Sequence, residues 1–255
     1  MTGSRWCGSP RWPGFYLVGA LVAATFGSAP ASGGEAQCEV PPDLKRVEFT
    51  LPHLSERLRA GDPVKIVAIG GASTTGAAAG SPEFAYPHRL QMILDQWYPR
   101  VAISVVNKGV PRQTAQQMLD RFASDVLAED PVLVIWETGT TDAVRGVEVD
   151  DFAAALQSGI DELRTRSIDI MLVDMQFSHS TATVIDFERY LDTLHQVAQV
   201  NEVYVFPRFE MMRYWSEQSV FNFDGVAKDQ RASLAASVYE CIARRLGEII
   251  RDALP

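Results

Sequence analysis

The sequence predicts a single α/β domain, a three-layer α/β/α sandwich around a five-stranded parallel sheet. From residue 64 onward, short β-branched runs alternate with longer segments of helical periodicity, as in parallel strands joined by crossover helices. The runs are apolar nearly throughout, which strands need when helices cover both faces of their sheet. A composition of 47% hydrophobic and 22% charged residues over 255 residues fits one globular domain with a full core.

Five strands and five helices are expected in turn along the chain. The strands are predicted at 64–69, 101–107, 131–136, 168–174 and 202–206. The helices are predicted at 86–96, 114–128, 151–166, 186–200 and 232–250. Apolar residues at helical spacing, such as Phe152, Leu156 and Ile160, give these helices a buried face. The alternation predicts a flavodoxin-like doubly wound sheet, in which ligands bind at the carboxyl ends of the strands.

Residues 1–31 have the pattern of a signal peptide. Arg5 and Arg11 precede an uncharged apolar run, which is too short to span a membrane, and small residues follow it. We therefore expect cleavage, a periplasmic or secreted mature chain and no stable membrane insertion afterwards; a retained N-terminal anchor is the alternative. Residues 32–62, rich in Pro, Gly and charge, are expected to form a lead-in on the surface of a domain at 63–255.

The charge and the cysteines narrow the class of protein further. The formal net charge is −9, and loss of residues 1–31 would remove two arginines and no acids, so nucleic acid is an improbable partner. The same cut leaves two cysteines, Cys38 and Cys241, which an oxidising compartment favours as a disulfide. Two unpaired cysteines are the alternative. No metal site and no cofactor are expected, because His, Cys and carboxylates lack ligand spacing.

A glycine-rich turn at residues 69–76, with the sequence IGGASTTG, directly follows the first predicted strand. It lacks the lysine of a phosphate-binding loop and the glycine spacing of a dinucleotide fingerprint. Together with three later segments, the turn resembles the SGNH or GDSL hydrolase family. Those segments are VNKGVPRQT at 106–114, WETGTTD at 136–142 and DGVA at 224–227, similar to the family's Asn-x-Gly-x-x-Gly-x-Thr, Gly-Thr-Asn and Asp-x-x-His blocks. The four blocks occur in order at strand ends, and they imply the family's fold.

The resemblance implies acyl transfer to water by a serine, with a histidine as base and an oxyanion held by two backbone amides and an asparagine. Four of these positions are substituted in this chain. Ala72 stands at the nucleophile position, Arg112 at the later glycine, Thr141 at the asparagine and Ala227 at the histidine, whereas Asp224 is retained. The resemblance therefore predicts the frame of a hydrolase without its catalytic groups.

Some assignments have an alternative within the same resemblance. A shift of one residue would make Ser73 the nucleophile, although the closing glycine then falls out of place. His179, in the loop after the fourth strand, is a candidate substitute base or ligand-binding group. The backbone of Gly71, Gly109 and Gly139 is expected to line the oxyanion site or the pocket. Solvated or capping positions are expected for the other three histidines, His53, His88 and His195.

Three functions remain open from the sequence. The first is a catalytically degenerate protein of the cell envelope that retains a pocket for a small molecule or glycan; Arg112 would suit an anionic ligand there, or would pair with a nearby acid. The second is an active ester hydrolase or acyltransferase that uses Ser73 with His179 on acylated small molecules or envelope glycans. The third is a structural partner in an envelope assembly. The oligomeric state is left open.

Overall fold

Five parallel strands form one sheet, and the computed structural model describes Gly3, Ser4, Gly8 and residues 37–254. The strands are β1 (Val64–Gly70), β2 (Ile103–Gly109), β3 (Leu133–Glu137), β4 (Asp169–Val173) and β5 (Tyr204–Phe206). Their order across the sheet is β2-β1-β3-β4-β5. This is the flavodoxin-like doubly wound order, so the predicted fold class is confirmed. The order reverses between β1 and β3, which opens a crevice at their carboxyl ends.

Ten α-helices and several shorter turns surround the sheet in the described part of the chain. The helices are α1 (Pro52–Ala60), α2 (Ala72–Thr75), α3 (Tyr86–Trp97), α4 (Ala115–Leu119), α5 (Thr140–Arg145), α6 (Val149–Arg164), α7 (His179–Ala182), α8 (Glu188–Val200), α9 (Arg208–Glu217) and α10 (Arg231–Asp252). Four 3₁₀ turns cover Pro42–Lys45, Ala77–Ala79, Pro82–Phe84 and Leu127–Glu129, and a π-helical turn covers Phe122–Val126.

Side chains of each strand alternate between two separate hydrophobic cores. Ile66 and Ala68 of β1 point to the core formed with α1, α3 and α10, whereas Val67 and Ile69 point to the core formed with α4, α6 and α8. Because both faces of the sheet are covered, the molecule has the three layers that the apolar strands predict. The strand ends are the part of the sheet that remains accessible to a ligand.

The predicted helix at 114–128 is wrong as one continuous helix. It is divided into α4, the π-helical turn and a 3₁₀ turn. The apolar residues Met118, Phe122 and Val126 recur every four residues, whereas an ideal helix turns every 3.6. The wider π turn keeps Phe122 and Val126 fully buried together, and it brings the Phe122 ring 5.0 Å from the Trp136 ring, edge to face.

The lead-in segment does not lie on the surface as expected. Cys38, Val40, Leu51 and Leu54 are all at most 5% exposed and belong to the core that α10 helps to form. The N–H of Leu54 donates to the Asp169 carboxylate over 2.8 Å, which joins α1 to the start of β4. The spacing of Leu51 and Leu54 indicates a helix with one buried face. The high content of Pro, Gly and charged residues in the same segment instead led to the expectation of a surface position.

The predicted disulfide between Cys38 and Cys241 is confirmed. It connects the N-terminal segment to α10, and the two cysteines are 203 residues apart in the sequence. Residues 5–7 and 9–36, which include most of the predicted signal peptide, lie outside the described residues. Among the described helices, none has the length and apolar character needed to cross a membrane.

Loss of this disulfide should lower the free energy of unfolding by about 2–5 kcal/mol, because the bridge restricts a long loop of the unfolded chain. Urea unfolding of the oxidised protein and of Cys38→Ser/Cys241→Ser measures the difference. A reductant should lower the stability of the native sequence to that of the double variant and leave the variant unchanged. Equal stability of the two oxidised proteins would contradict the prediction.

Candidate functional site

A cleft of about 250 Å³ lies at the carboxyl ends of β1, β3 and β4. Its walls come from the turn after β1, the loop after β2, the segment from the end of β3 into α5, and the loop after β4. We call it the strand-end cleft. A larger cleft of about 940 Å³ lies beside the amino ends of β4 and β5. Because open α/β sheets bind ligands at carboxyl strand ends, the smaller cleft is the candidate site.

The turn after β1 exposes Ala72 and buries the residue that follows it. Ala72 is exposed and lines the cleft, whereas Ser73 is 4% exposed. A Cβ atom added to Gly70 would lie 2.2 Å from Thr74 Oγ1 and 2.7 Å from Glu137 Cβ, so only glycine permits this close approach of β1 and β3. The geometry favours the register that places Ala72 at the nucleophile position.

Ser73 lies in a buried polar network that connects the ends of three elements. The Nη1 atom of Arg208 donates to Ser73 Oγ over 3.2 Å and lies 3.1 Å from Glu137 Oε1. Thr74 Oγ1 donates to Glu137 Oε2 over 2.5 Å. Arg208 and Glu137 are only 1% and 5% exposed, so this ion pair is removed from water. The ion pair therefore joins α9 to β3 and to the turn after β1.

Two buried tyrosines, Tyr86 of α3 and Tyr239 of α10, complete the network. The Tyr86 hydroxyl is 3.3 Å from Thr74 Oγ1, and the Tyr239 hydroxyl has a hydrogen-bond contact with Ser73. Burial, with a smaller contribution from the Glu137 carboxylate, raises the pKa of both tyrosines. Both phenols therefore stay protonated at neutral pH and are poor proton acceptors for Ser73.

In the described chain, no hydrogen bond joins the Ser73 hydroxyl to a histidine or a carboxylate. An arginine donates hydrogen bonds and has no lone pair for a proton. The contact from Ser73 Oγ to Gln176 Oε1 is 3.5 Å, at the limit of a hydrogen bond. His179 is exposed and packs against the Phe177 ring at 4.9 Å, edge to face. Within residues 37–254, no hydrogen bond joins His179 to Ser73.

The retained aspartate lies near the loop that carries His179. Asp224 Oδ1 accepts a hydrogen bond from the Ser180 N–H over 3.1 Å. Ala227 is exposed ahead of α10 and presents only a methyl group at the position of the family histidine. The structure thus brings Asp224 and the His179 loop together, while Ser73 is held by other contacts.

Most residues at the predicted oxyanion positions line the cleft, but Gly109 does not and instead packs against the backbone of the turn after β1. Arg112 is exposed and has a φ of 62°, a left-handed conformation that favours glycine. The resemblance places a glycine at this position. Gly71 and Gly139 precede α2 and α5, and Gly109 ends β2. Half-buried Thr141 lines the cleft.

Asp142, next to Thr141, has a structural role. Both of its carboxylate oxygens accept the Ala115 N–H at 3.1 Å, which joins α5 to α4. Burial raises the pKa of this carboxyl group. The contact fixes the segment between β3 and α5, and that segment forms one wall of the strand-end cleft.

A second polar pair lies behind the cleft. Asp174 Oδ1 accepts the Phe209 N–H over 2.8 Å at the start of α9, and Asp174 Oδ2 is 3.4 Å from His195 Nε2. The hydrogen bond to Asp174 raises the pKa of His195. Because Arg208 is the first residue of α9, this pair helps to hold the arginine that contacts Ser73.

Sequence reasoning missed the residues that form the buried network. Glu137 lies in the WETGTTD segment and Arg208 lies two residues after the fifth predicted strand, but neither was assigned a role. The available signal was a charged side chain within two residues of the end of a buried strand, where removing the charge from water is costly unless a partner is present. Which charge pairs with which could not be read from the sequence, because β3 and α9 are distant along the chain.

Comparisons with known proteins agree with the observed fold. The model of the Non-GDSL lipase-like family matches residues 37–255. A G-D-S-L family lipolytic protein from Desulfitobacterium hafniense DCB-2 is 23% identical, with a TM-score of 0.54, and the match covers 71% of this chain and 99% of that chain. No curated protein matches the sequence.

Two esterase structures show the same fold. A two-domain esterase active on acetylated mannans is 18% identical, with a TM-score of 0.64; the match covers 82% of this chain and 56% of the esterase. A variant of an acetyl xylan esterase from Geobacillus stearothermophilus is 19% identical, with a TM-score of 0.57 and coverage of 72% and 94%. Together with the family match, they confirm the predicted SGNH/GDSL hydrolase-like fold.

The Glu137–Arg208 pair predicts a strong coupling between two substitutions. Arg208→Met leaves the Glu137 carboxylate buried without its partner, which should lower the free energy of unfolding by about 3–5 kcal/mol. Glu137→Gln/Arg208→Met should be more stable than the sum of the two single effects implies. Urea unfolding of all four proteins measures the coupling, and additive effects would show that the ion pair is energetically irrelevant.

The His195–Asp174 pair predicts a pH-dependent contribution to stability. The pKa of His195 is higher in the folded protein than in the unfolded chain, where it is about 6.5. The stabilisation from charged His195 is therefore complete below the unfolded pKa, and it is lost as the pH rises through the folded pKa. His195→Gln should therefore lower the stability more at pH 5.5 than at pH 9, by up to about 1 kcal/mol, because His195 is half exposed although Asp174 is buried. Burial raises the pKa of Asp174, which reduces its charge at low pH and limits this effect. Thermal unfolding at both values tests this, with exposed His88→Gln as control. A pH-independent difference would contradict it.

Proposed function

Since the chain belongs to the Non-GDSL lipase-like family, we propose that it is a catalytically degenerate SGNH/GDSL-fold protein of the cell envelope that binds a small ligand in its strand-end cleft. The contacts of Ser73 carry this proposal. Its oxygen accepts a hydrogen bond from the Arg208 guanidinium, and no histidine or carboxylate of the described chain is hydrogen-bonded to it. The residue that faces the cleft at the crown of the turn is Ala72, which has no nucleophile.

Several independent losses support binding without hydrolysis. An active serine hydrolase needs a nucleophile, a base and oxyanion donors together. Here Ala72, Thr141 and Ala227 occupy the corresponding positions, and each lacks the required group. The cleft itself is present, with walls from four segments of the chain. A maintained cleft without catalytic groups fits a binding role.

An extracytoplasmic location is part of the proposal. The Cys38–Cys241 bridge is typical of proteins that fold in an oxidising compartment, and residues 1–31 have the composition of a signal peptide. Two of the structurally similar esterases act on acetylated polysaccharides. A small molecule or glycan is accordingly the ligand class that we propose, and nucleic acid is not.

An active esterase or acyltransferase is the second candidate, and one observation favours it. Asp224 contacts the Ser180 N–H, so the retained aspartate lies beside the loop of His179, as a base and its orienting carboxylate would. Catalysis by this route would need Ser73 to leave Arg208 and His179 to leave the Phe177 ring. The first candidate requires no such rearrangement.

We expect the purified mature protein to resist a fluorophosphonate probe and to leave p-nitrophenyl acetate intact, because Ser73 is buried and has no base. Mass spectrometry measures labelling, and release of p-nitrophenol measures turnover. Ser73→Ala serves as the matched control. Labelling of Ser73, with turnover that Ser73→Ala abolishes, would establish the second candidate instead.

Restoration of the family residues should produce hydrolysis if the Ala72 register is right. We expect measurable p-nitrophenyl acetate hydrolysis from Ala72→Ser/Arg112→Gly/Thr141→Asn/Ala227→His. A single oxyanion donor alone lowers the activation barrier by about 3 kcal/mol. The φ of 62° at residue 112 favours the glycine. The same variant without Ala227→His is the control. A folded quadruple variant without activity would count against the register.

A further inference from the structure

We propose that the ligand of the strand-end cleft is a hydroxylated organic carboxylate, such as a sugar acid, held by Arg112 and Arg145. This inference rests on the proposed binding function and names the chemistry of the ligand. It is carried by two cationic side chains without acidic partners at the cleft and by two hydroxyl groups in its wall without hydrogen-bond partners.

Arg112 presents an unpaired charge at the mouth of the cleft. Among residues 37–254, its guanidinium forms no ion pair and no hydrogen bond. The expectation that it pairs with a nearby acid is therefore wrong for the described chain. Its backbone is left-handed, a conformation that is unfavourable for a residue other than glycine. A strained arginine that has no structural partner is suited to bind an external anion.

Arg145 provides the second charge from the last turn of α5. Its Nη1 atom donates to Gln117 Oε1 over 3.2 Å, which directs the side chain without neutralising it. Asp142 attracts Arg145 at longer range, but the oxygens of Asp142 already accept the Ala115 N–H. Both arginines line the cleft, so their planar donors are available for a carboxylate.

More positive than negative side chains line the cleft, unlike the chain as a whole. The chain carries a formal net charge of −9. Of the described residues that line the cleft, Glu137 is the sole carboxylate, and it is already paired with Arg208. Within residues 37–254, neither cleft arginine forms an ion pair. An acidic protein that concentrates positive charge at one cleft favours an anion there over a neutral ligand.

Two threonine hydroxyls in the cleft wall need partners that the described chain does not provide. The buried Oγ1 atoms of Thr138 and Thr140 lack a hydrogen-bond partner within residues 37–254, and Thr138 is only 3% exposed. Buried polar groups without partners are rare because each loses the hydrogen bonds that water would supply. Both oxygens are shielded from the cleft as they stand, so each threonine side chain would have to rotate before a hydroxyl group on the ligand satisfies it. A plain fatty acid has no hydroxyl group to offer them.

The size of the cleft limits the ligand to a small molecule or one residue of a chain. Its volume of about 250 Å³ is below the ~300 Å³ at which pockets for drug-sized ligands begin. One sugar ring with a carboxylate fits this limit. Ala72 adds a methyl group to the wall, where the family's serine would add a reactive oxygen.

Isothermal titration calorimetry of the mature protein with sodium glucuronate, glucose and sodium acetate tests the inference. We expect glucuronate to bind at least tenfold more tightly than glucose, which lacks the carboxylate, and than acetate, which lacks the hydroxyl groups. Arg112→Gln and Arg145→Gln should each weaken glucuronate binding about tenfold, because each removes a charge-assisted contact. Arg112→Lys should retain part of the affinity, and Arg166→Gln, on an exposed turn outside the cleft, should not change it.

The outcomes distinguish this inference from the proposed function. Equal binding of glucose and glucuronate, no binding of any of the three probes, or an Arg112→Gln variant with unchanged affinity would overturn the carboxylate assignment. None of these binding results would be evidence that the protein hydrolyses esters. Turnover of p-nitrophenyl acetate that requires Ser73 would overturn the proposed function, whatever the probes do. Circular dichroism confirms that each variant is folded before its affinity is compared.

Discussion

The buried ion pair between Glu137 and Arg208 organises the carboxyl edge of the sheet. It joins the end of β3 to the start of α9, and through Ser73 and Thr74 it fixes the turn after β1. Two charges that are removed from water need this geometry, because either one alone would be strongly destabilising. Gly70 permits it by leaving room for the Glu137 side chain. Two walls of the strand-end cleft, the turn after β1 and the end of β3, depend on these contacts.

The same ion pair bears on the chemistry that we propose for the turn. The family resemblance implies a serine served by a base at this turn, whereas Ser73 is buried and accepts a hydrogen bond from a cation. The guanidinium stabilises the fold at a place where an active enzyme would need a proton acceptor. In the proposed non-hydrolytic protein, one contact therefore both stabilises the turn and occupies the Ser73 oxygen. The cleft above the turn remains, with Ala72 in its wall and free arginines at its mouth.

The fold was largely predictable because its signals are local and repeated. Apolar strands alternating with amphipathic helices require a parallel sheet covered on both faces, and the handedness of crossovers leaves few alternatives. The errors arose where spacing or composition was ambiguous. The predicted helix at 114–128 is interrupted because a four-residue apolar repeat does not fit a 3.6-residue turn. The lead-in segment is buried because Leu51 and Leu54 pack into the core in spite of their polar neighbours.

The sequence by itself determined the doubly wound architecture, the family and the substitutions at Ala72, Thr141 and Ala227, since each depends on residue identity at a fixed distance along the chain. It also indicated the pairing of Cys38 with Cys241. Only the tertiary structure decided that Arg208 reaches Ser73 and Glu137 across the strand ends, and that Arg112 has no acidic partner in the described chain. Such contacts join residues up to 135 positions apart, and their energy depends on burial, which no local pattern encodes.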